Sequence, residues 1–167
     1  MELHTLRQDC DQIVRQAIAA VQSDAAVQRA LKGKPLPSGR VVLVAVGKAA
    51  WSMARAAYDC IGDRVDGGIV ITKHGYAQGP IGNLRIREAG HPVPDEDTFA
   101  ATEEALAITE ELGKEDLVLF LLSGGGSALF EAPLVPQGEL QSITKQLLSC
   151  GADIVEMNTI RKRLSAV

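Results

Sequence analysis

The sequence predicts an α/β fold, a three-layer α/β/α sandwich built on a mostly parallel sheet. Two observations carry that reading. Short apolar runs at Val41–Val46, Gly67–Thr72 and Leu117–Leu122 are the kind of segment a strand buried on both faces requires. Between them lie segments long enough for three or more turns of helix. Strands that alternate with helices of that length form parallel sheets covered on both sides.

The elements follow in order. Leu6, Cys10, Ile13, Val14, Ala17, Ile18 and Val21 recur at steps of three and four, with Arg7, Asp11, Arg15 and Gln16 between them. That spacing predicts an amphipathic helix. Ser23-Asp24 is expected to cap a second, short helix ending near Leu31. Lys32 to Arg40 contains two prolines and two glycines and reads as a loop. Residues 1–40 are thus a helical N-terminal extension to the sandwich.

Val41–Val46 is the first buried strand, ended by Gly47-Lys48. The Ala-rich stretch from Ala49 to about Ile61 suits a helix packed closely on a sheet. Gly67–Thr72 is a second buried strand, and Leu84–Ala89 a weaker third candidate. Asp95 to Leu112 reads as a helix, acidic in its first turn and with Gly113 just past its end. Leu117–Leu122 is expected to be a buried strand, followed at once by Ser123-Gly124-Gly125-Gly126-Ser127. Gln137 to Ser149 is a helix stopped by Gly151, and Asp153 caps a last helix running to about Leu164.

Composition narrows the function. With 46% hydrophobic and 23% charged residues, the 167-residue chain holds enough apolar material for one real core. Lys and Arg are not clustered and the net charge is −4, so no nucleic-acid partner is indicated. The apolar runs are too short to cross a bilayer, and Met1 to Asp9 show no apolar leader. Cys10, Cys60 and Cys150 are an odd number and form no CxxC pair. They read as reduced, core-filling side chains, which fits a cytoplasmic location better than a disulfide framework or a zinc site.

Ligands of parallel sheets lie at the C-terminal ends of the strands. In this sequence those ends carry Gly47-Lys48, Thr72-Lys73-His74-Gly75, and Ser123 to Ser127. Three glycines after a strand let backbone N–H groups approach an anion, and the serines add hydroxyls. The competing reading is a sharp turn. Lys48 can pair with a phosphate or a carboxylate, or be a solvated turn residue. It is not part of a Walker A motif, because Val42 and Ala49 stand where glycine and Ser or Thr are needed. No GxGxxG is present. Asn158, Arg161 and Lys162 share a face of the last helix, as an anion site or as a basic helix end. His74 and His91 read as loop histidines bonded to backbone, and Glu103, Glu104, Glu110 and Glu111 as a solvated face. No metal site is expected.

Several segments together resemble one family. They are Val44-Ala45-Val46-Gly47-Lys48-Ala49-Ala50, Ile71-Thr72-Lys73-His74-Gly75, Ala89-Gly90-His91-Pro92-Val93-Pro94-Asp95-Glu96, Leu122-Ser123-Gly124-Gly125-Gly126-Ser127 and Asn158-Thr159-Ile160-Arg161-Lys162-Arg163-Leu164-Ser165. In this order they are similar to class II (glycerate 2-kinase type) glycerate kinases, often labelled hydroxypyruvate reductases. The resemblance implies a single Rossmann-like N-terminal domain over residues 1–167, and ATP-dependent phosphorylation of D-glycerate to 2-phosphoglycerate. It implies ATP and Mg2+ for the full-length enzyme. It implies a catalytic role for Lys48, with Gly47, Ser123, Gly124, Gly125, Gly126, Ser127, Asn158, Arg161 and Lys162 binding nucleotide or substrate. Chains of that family are much longer, so a C-terminal domain is expected to be absent here. An inactive fragment with an exposed apolar surface, and with it a homo-oligomer, follows. The alternatives are an NAD(P)H-dependent reductase of hydroxypyruvate or tartronate semialdehyde, which the missing GxGxxG disfavours, and a non-catalytic anion-binding fragment.

Overall fold

The computed structural model describes residues 3–124 and 126–167. Helix α1 (Leu3–Ala20) and helix α2 (Ser23–Leu31) precede strand β1 (Val41–Gly47). Then come α3 (Ala50–Ile61), β2 (Gly67–Lys73), β3 (Arg85–Ala89), α4 (Glu96–Glu110) and β4 (Leu117–Ser123), with α5 (Gln137–Ser149) and α6 (Ile154–Arg161) closing the chain. The four strands form one sheet in the order β3-β2-β1-β4, and every neighbouring pair is parallel. The weak third strand candidate is a real strand.

The period of two along β1 sorts its side chains between two cores. Leu43 and Ala45 pack with Ala50, Ala54 and Ala57 of α3 and with Val27 of α2. Val42, Val44 and Val46 face the other way, onto Ala101 and Ala105 of α4 and onto Leu129. Every residue of β1 is buried, as its unbroken apolar run requires. Each Val or Leu so buried contributes on the order of 1.5–3 kcal/mol. The alanines of α3 let its backbone lie close to the sheet. The three layers are therefore α2 and α3, the sheet, and α4.

β4 departs from expectation. It is an edge strand with only one covered face, where Leu119 and Leu121 join the α3 core. Val118, Phe120 and Leu122 on the opposite face are 38%, 45% and 54% exposed. α4 packs over β2 and β3 and leaves this part of the sheet uncovered by it. The periodicity of α1 is also real, but Leu6, Ile13, Val14 and Ile18 face solvent. The expected exposed apolar surface is thus found, on β4 and on α1.

Smaller corrections concern caps and thiols. Gln22, rather than Ser23 or Asp24, occupies the N-cap of α2 and makes no side-chain cap bond. Asp95 and Asp153 do cap α4 and α6, each in a reciprocal capping box, with Thr98 and Glu156. All three cysteines are free and exposed and fill no core. Cys10 lies on the unpacked α1, and Cys60 and Cys150 sit where α3 and α5 end. Among the described residues no helix is long and apolar enough to cross a membrane.

Candidate functional site

The register fixes which loops meet. Gly47 lies opposite Ser123, so the turns after β1 and β4 leave the sheet side by side. The Oγ of Ser123 accepts the Ala49 N–H at 2.9 Å, which ties the two turns together. Gly47 sits at φ 120°, and any Cβ there would run into the Ser123 carbonyl oxygen. The glycine of Gly47-Lys48 is therefore needed to bring the two loops into contact. Lys48 projects from the turn as an exposed residue, and its carbonyl accepts the Thr72 hydroxyl at 3.5 Å.

The glycine-rich segment does more structural work than the sequence suggests. Gly124 adopts a left-handed φ of 63° and is exposed. Gly126 is buried, and a Cβ there would lie 2.6 Å from Leu122 Cδ1. Gly125 lies outside the described residues, as does the side chain of Ser127. The helix that follows is only the 3-10 turn Gly126–Ala128; α5 begins later, at Gln137. The long helix that begins beside this loop is α3, whose N-cap Ala49 is bonded to Ser123.

Asn158, Arg161 and Lys162 do come to the same place. With Gly124 and Gly126 they line a cavity of about 450 Å³ whose apolar wall includes Phe120 and Phe130. Those two rings meet edge to face, with centroids 5.9 Å apart. Arg161, expected to serve a ligand, is instead buried and bonded through Nη2 to Glu131 Oε2 at 2.7 Å. Glu131 is buried too, and its Oε1 has no hydrogen-bond partner among the described residues. The backbone around the pair is cross-tied. Leu134 N–H donates to Leu164 O at 2.8 Å and Ala166 N–H to Ala132 O at 2.8 Å. Glu131 escaped the sequence reading; its one signal is an acid set within the apolar stretch Ala128-Leu129-Phe130 and Ala132-Pro133-Leu134.

The ends of β2 and β3 add residues that the sequence reading set aside. Lys73 pairs in register with Ala89, and His74 N–H donates to Ala89 O at 3.2 Å. His91 follows two residues after Ala89, in the loop that leaves β3. Burial, and then the charges of Lys48, Lys73 and Arg161, hold the His91 imidazole below its ordinary pKa. The strands that lead to Lys48, Lys73 and the His91 loop are neighbours in the sheet, so these segments leave it at the same edge. His74 does not bond to backbone through its ring, as expected, but to the Asp95 carboxylate at 2.7 Å. That hydrogen bond raises its pKa. Asp95 also accepts from Gly90 N–H and Thr98 N–H, which seats the loop carrying His91. Glu104 is no solvated residue either: Arg85 and Arg87 of β3 both reach it at 2.7 Å.

A family model described as "Domain of unknown function (DUF4147)" matches residues 9–167. The chain belongs to that family. A D-glycerate 2-kinase from Thermotoga maritima is 52% identical to it over 158 residues, 93% of this chain and 37% of that protein. A relative from Agrobacterium vitis, 43% identical over 164 residues, carries a hydroxypyruvate reductase name; the alignment takes in 96% of this chain and 36% of that one. The crystal structure of glycerate kinase from Thermotoga maritima superimposes with a TM-score of 0.88 at 49% identity, over 98% of this chain and 40% of that one. The chain spans 37% of the length of the Thermotoga maritima relative, and what it matches is the family's N-terminal domain.

Proposed function

We propose that this domain supplies one wall of a D-glycerate 2-kinase site, where ATP phosphorylates the 2-hydroxyl of D-glycerate. The observation that carries the reading is the register that sets Gly47 opposite Ser123, so that the turn bearing Lys48 and the glycine-rich turn leave the sheet side by side. Both substrates are anions, and phosphoryl transfer is catalysed by placing positive charge around the transferred group. Lys48, on the turn that Gly47 and Ser123 lock in place, is the cation best positioned to follow the developing charge. The kinase names of the relatives support the same reaction. A Mg2+ ion wants oxygen donors, and the side chains of Lys48, Lys73 and His91 offer none. The metal that accompanies ATP is therefore not held by these residues. The reductase reading gains nothing from the β1 turn, where the left-handed glycine is occupied by contact with Ser123.

One wall does not make a phosphoryl-transfer site, so residues 1–167 alone are expected to bind ligand without turning it over. Calorimetry with D-glycerate and ATP, and a coupled ADP-release assay, test this together. We expect binding that Lys48→Ala weakens by about tenfold, the worth of one charge-assisted hydrogen bond. Turnover at about 1 per second or faster, the scale of ordinary kinases, would refute the one-wall reading. Oxidation of NADH by hydroxypyruvate would refute the kinase reading itself.

A further inference from the structure

The peptide unit that follows Lys48 is held from both sides of the sheet. β1 lies between β2 and β4 in the strand order, and past Gly47 its ladder ends. Backbone groups beyond that point need other partners. The Lys48 carbonyl and the Ala49 N–H belong to one peptide. Its oxygen accepts the Thr72 hydroxyl of β2 at 3.5 Å, and its N–H donates to the Ser123 hydroxyl of β4 at 2.9 Å. Each flanking strand thus gives one hydroxyl to the same peptide. The next carbonyl, that of Ala49, accepts both the Ser52 hydroxyl and the Met53 N–H at 3.0 Å, which ties it to α3. Behind Lys48, Gly47 packs on the Ser123 carbonyl. Thr72 is fully buried at the end of the apolar run Ile69-Val70-Ile71. A buried hydroxyl is costly unless it is bonded, and the Lys48 carbonyl is its partner.

We infer that Thr72 and Ser123 are positioning residues for Lys48, two hydroxyls that fix the plane of the Lys48–Ala49 peptide and so aim the ammonium group. The inference rests on the reading of Lys48 as the cation that meets the anionic ligand, and it gives Ser123 a supporting role in place of the ligand contact expected from sequence. A lysine carries its charge on a flexible four-carbon stem. The direction in which that stem leaves the backbone therefore decides where the charge can reach. The Cα of Lys48 lies between the clamped peptide and the one that leaves Gly47, so fixing both sets the direction of its Cα–Cβ bond. The Ser123 bond has ordinary length and the Thr72 bond is long, so Ser123 carries the larger share. Both act through one ammonium group. Their joint effect on affinity is therefore bounded by the effect of removing Lys48.

The test is calorimetry with ATP on the wild type, Ser123→Ala, Ser123→Thr, Thr72→Val, Thr72→Ser and Lys48→Ala, each checked for folding by circular dichroism. Ser123→Ala and Thr72→Val are also made in the Lys48→Ala background, and NMR follows exchange of the Ala49 amide proton. Ser123→Ala is expected to weaken ATP by about fivefold and Thr72→Val by about twofold, the range of one neutral hydrogen bond. Ser123→Thr and Thr72→Ser keep the hydroxyl and should restore affinity. Without Lys48 neither loss should matter further, and the Ala49 amide should exchange faster in Ser123→Ala. If Lys48→Ala weakens ATP while folded Ser123→Ala and Thr72→Val bind like the wild type, the positioning role is wrong and the reading of Lys48 stands. Equal losses with and without Lys48 would mean that the hydroxyls touch the ligand themselves, which also overturns the inference. Should Ser123→Thr fail to fold, the Lys48→Ala background and the Ala49 amide decide. If ATP does not bind, or binds Lys48→Ala as tightly as the wild type, the reading of Lys48 fails and the inference with it.

Discussion

The buried pair Glu131–Arg161 should dominate the response of this domain to a single substitution. The side chains are 3% and 9% exposed, so water screens them little. Their carboxylate and guanidinium meet at 2.7 Å. Arg161→Met keeps most of the length of the side chain and removes the charge. Glu131 Oε2 then loses its bond to the guanidinium, and Oε1 already has none among the described residues. Leaving one member of such a pair buried alone costs about 3–5 kcal/mol. For a domain of this size each kcal/mol lowers the melting temperature by about 2–4 °C, so a drop of roughly 10 °C is expected. Replacing both residues, Glu131→Leu with Arg161→Met, should restore most of the loss, because no charge then stays buried. Urea titration of wild type, both single variants and the double variant measures the coupling. A cost under about 1 kcal/mol for Arg161→Met refutes the argument. So does a double variant as unstable as the sum of the singles, which would make packing rather than charge responsible.

Two further outcomes follow from the loops. Gly47→Val should cost about 2 kcal/mol or more in urea unfolding, because it forces a branched residue to φ 120° and onto the Ser123 carbonyl. An unchanged midpoint would show that the β1 turn relaxes freely. Asp116 is held at about 2 by the Gly113 N–H, then by the Arg40 side chain and backbone. Its folded value lies below its unfolded value, so its contribution is complete above about pH 4 and is lost as pH falls toward 2. Asp116→Asn should flatten that acid limb in thermal melts across pH, and a limb of the same depth in the variant would assign it to other carboxylates.

What the sequence revealed, it revealed through periodicity. An apolar run as dense as Val41–Val46 has to be covered on both sides, and β1 is. The same logic over-read Leu117–Leu122. An apolar run reports what a strand is able to bury, while its place in the sheet order decides what it does bury. The helical step pattern of α1 was likewise legible, though nothing described covers it. At the site, Lys48 and the glycines were marked by type and position. Lys73 was placed at a strand end and His91 in a loop, but neither was given a role, because the parallel register that sets Lys73 against Ala89 is not visible in the sequence. Glu131 was hidden for the same reason: its partner Arg161 lies 30 residues away in the sequence.

The two borders of the sheet differ in what they invite. On β3 the sequence Arg85-Ile86-Arg87-Glu88 sets charge at nearly every step, and Arg85 and Arg87 are braced by Glu104. Such a rim repels an incoming strand. On β4, Leu117-Val118-Leu119-Phe120-Leu121-Leu122 carries no charge, no proline and no bulge among its pairings with β1. Its outward N–H and C=O groups are therefore a template with nothing to discourage pairing. The sheet can grow in one direction only. Any added strand lands beside Phe120 and Leu122, the residues that also wall the cavity holding Asn158 and Lys162.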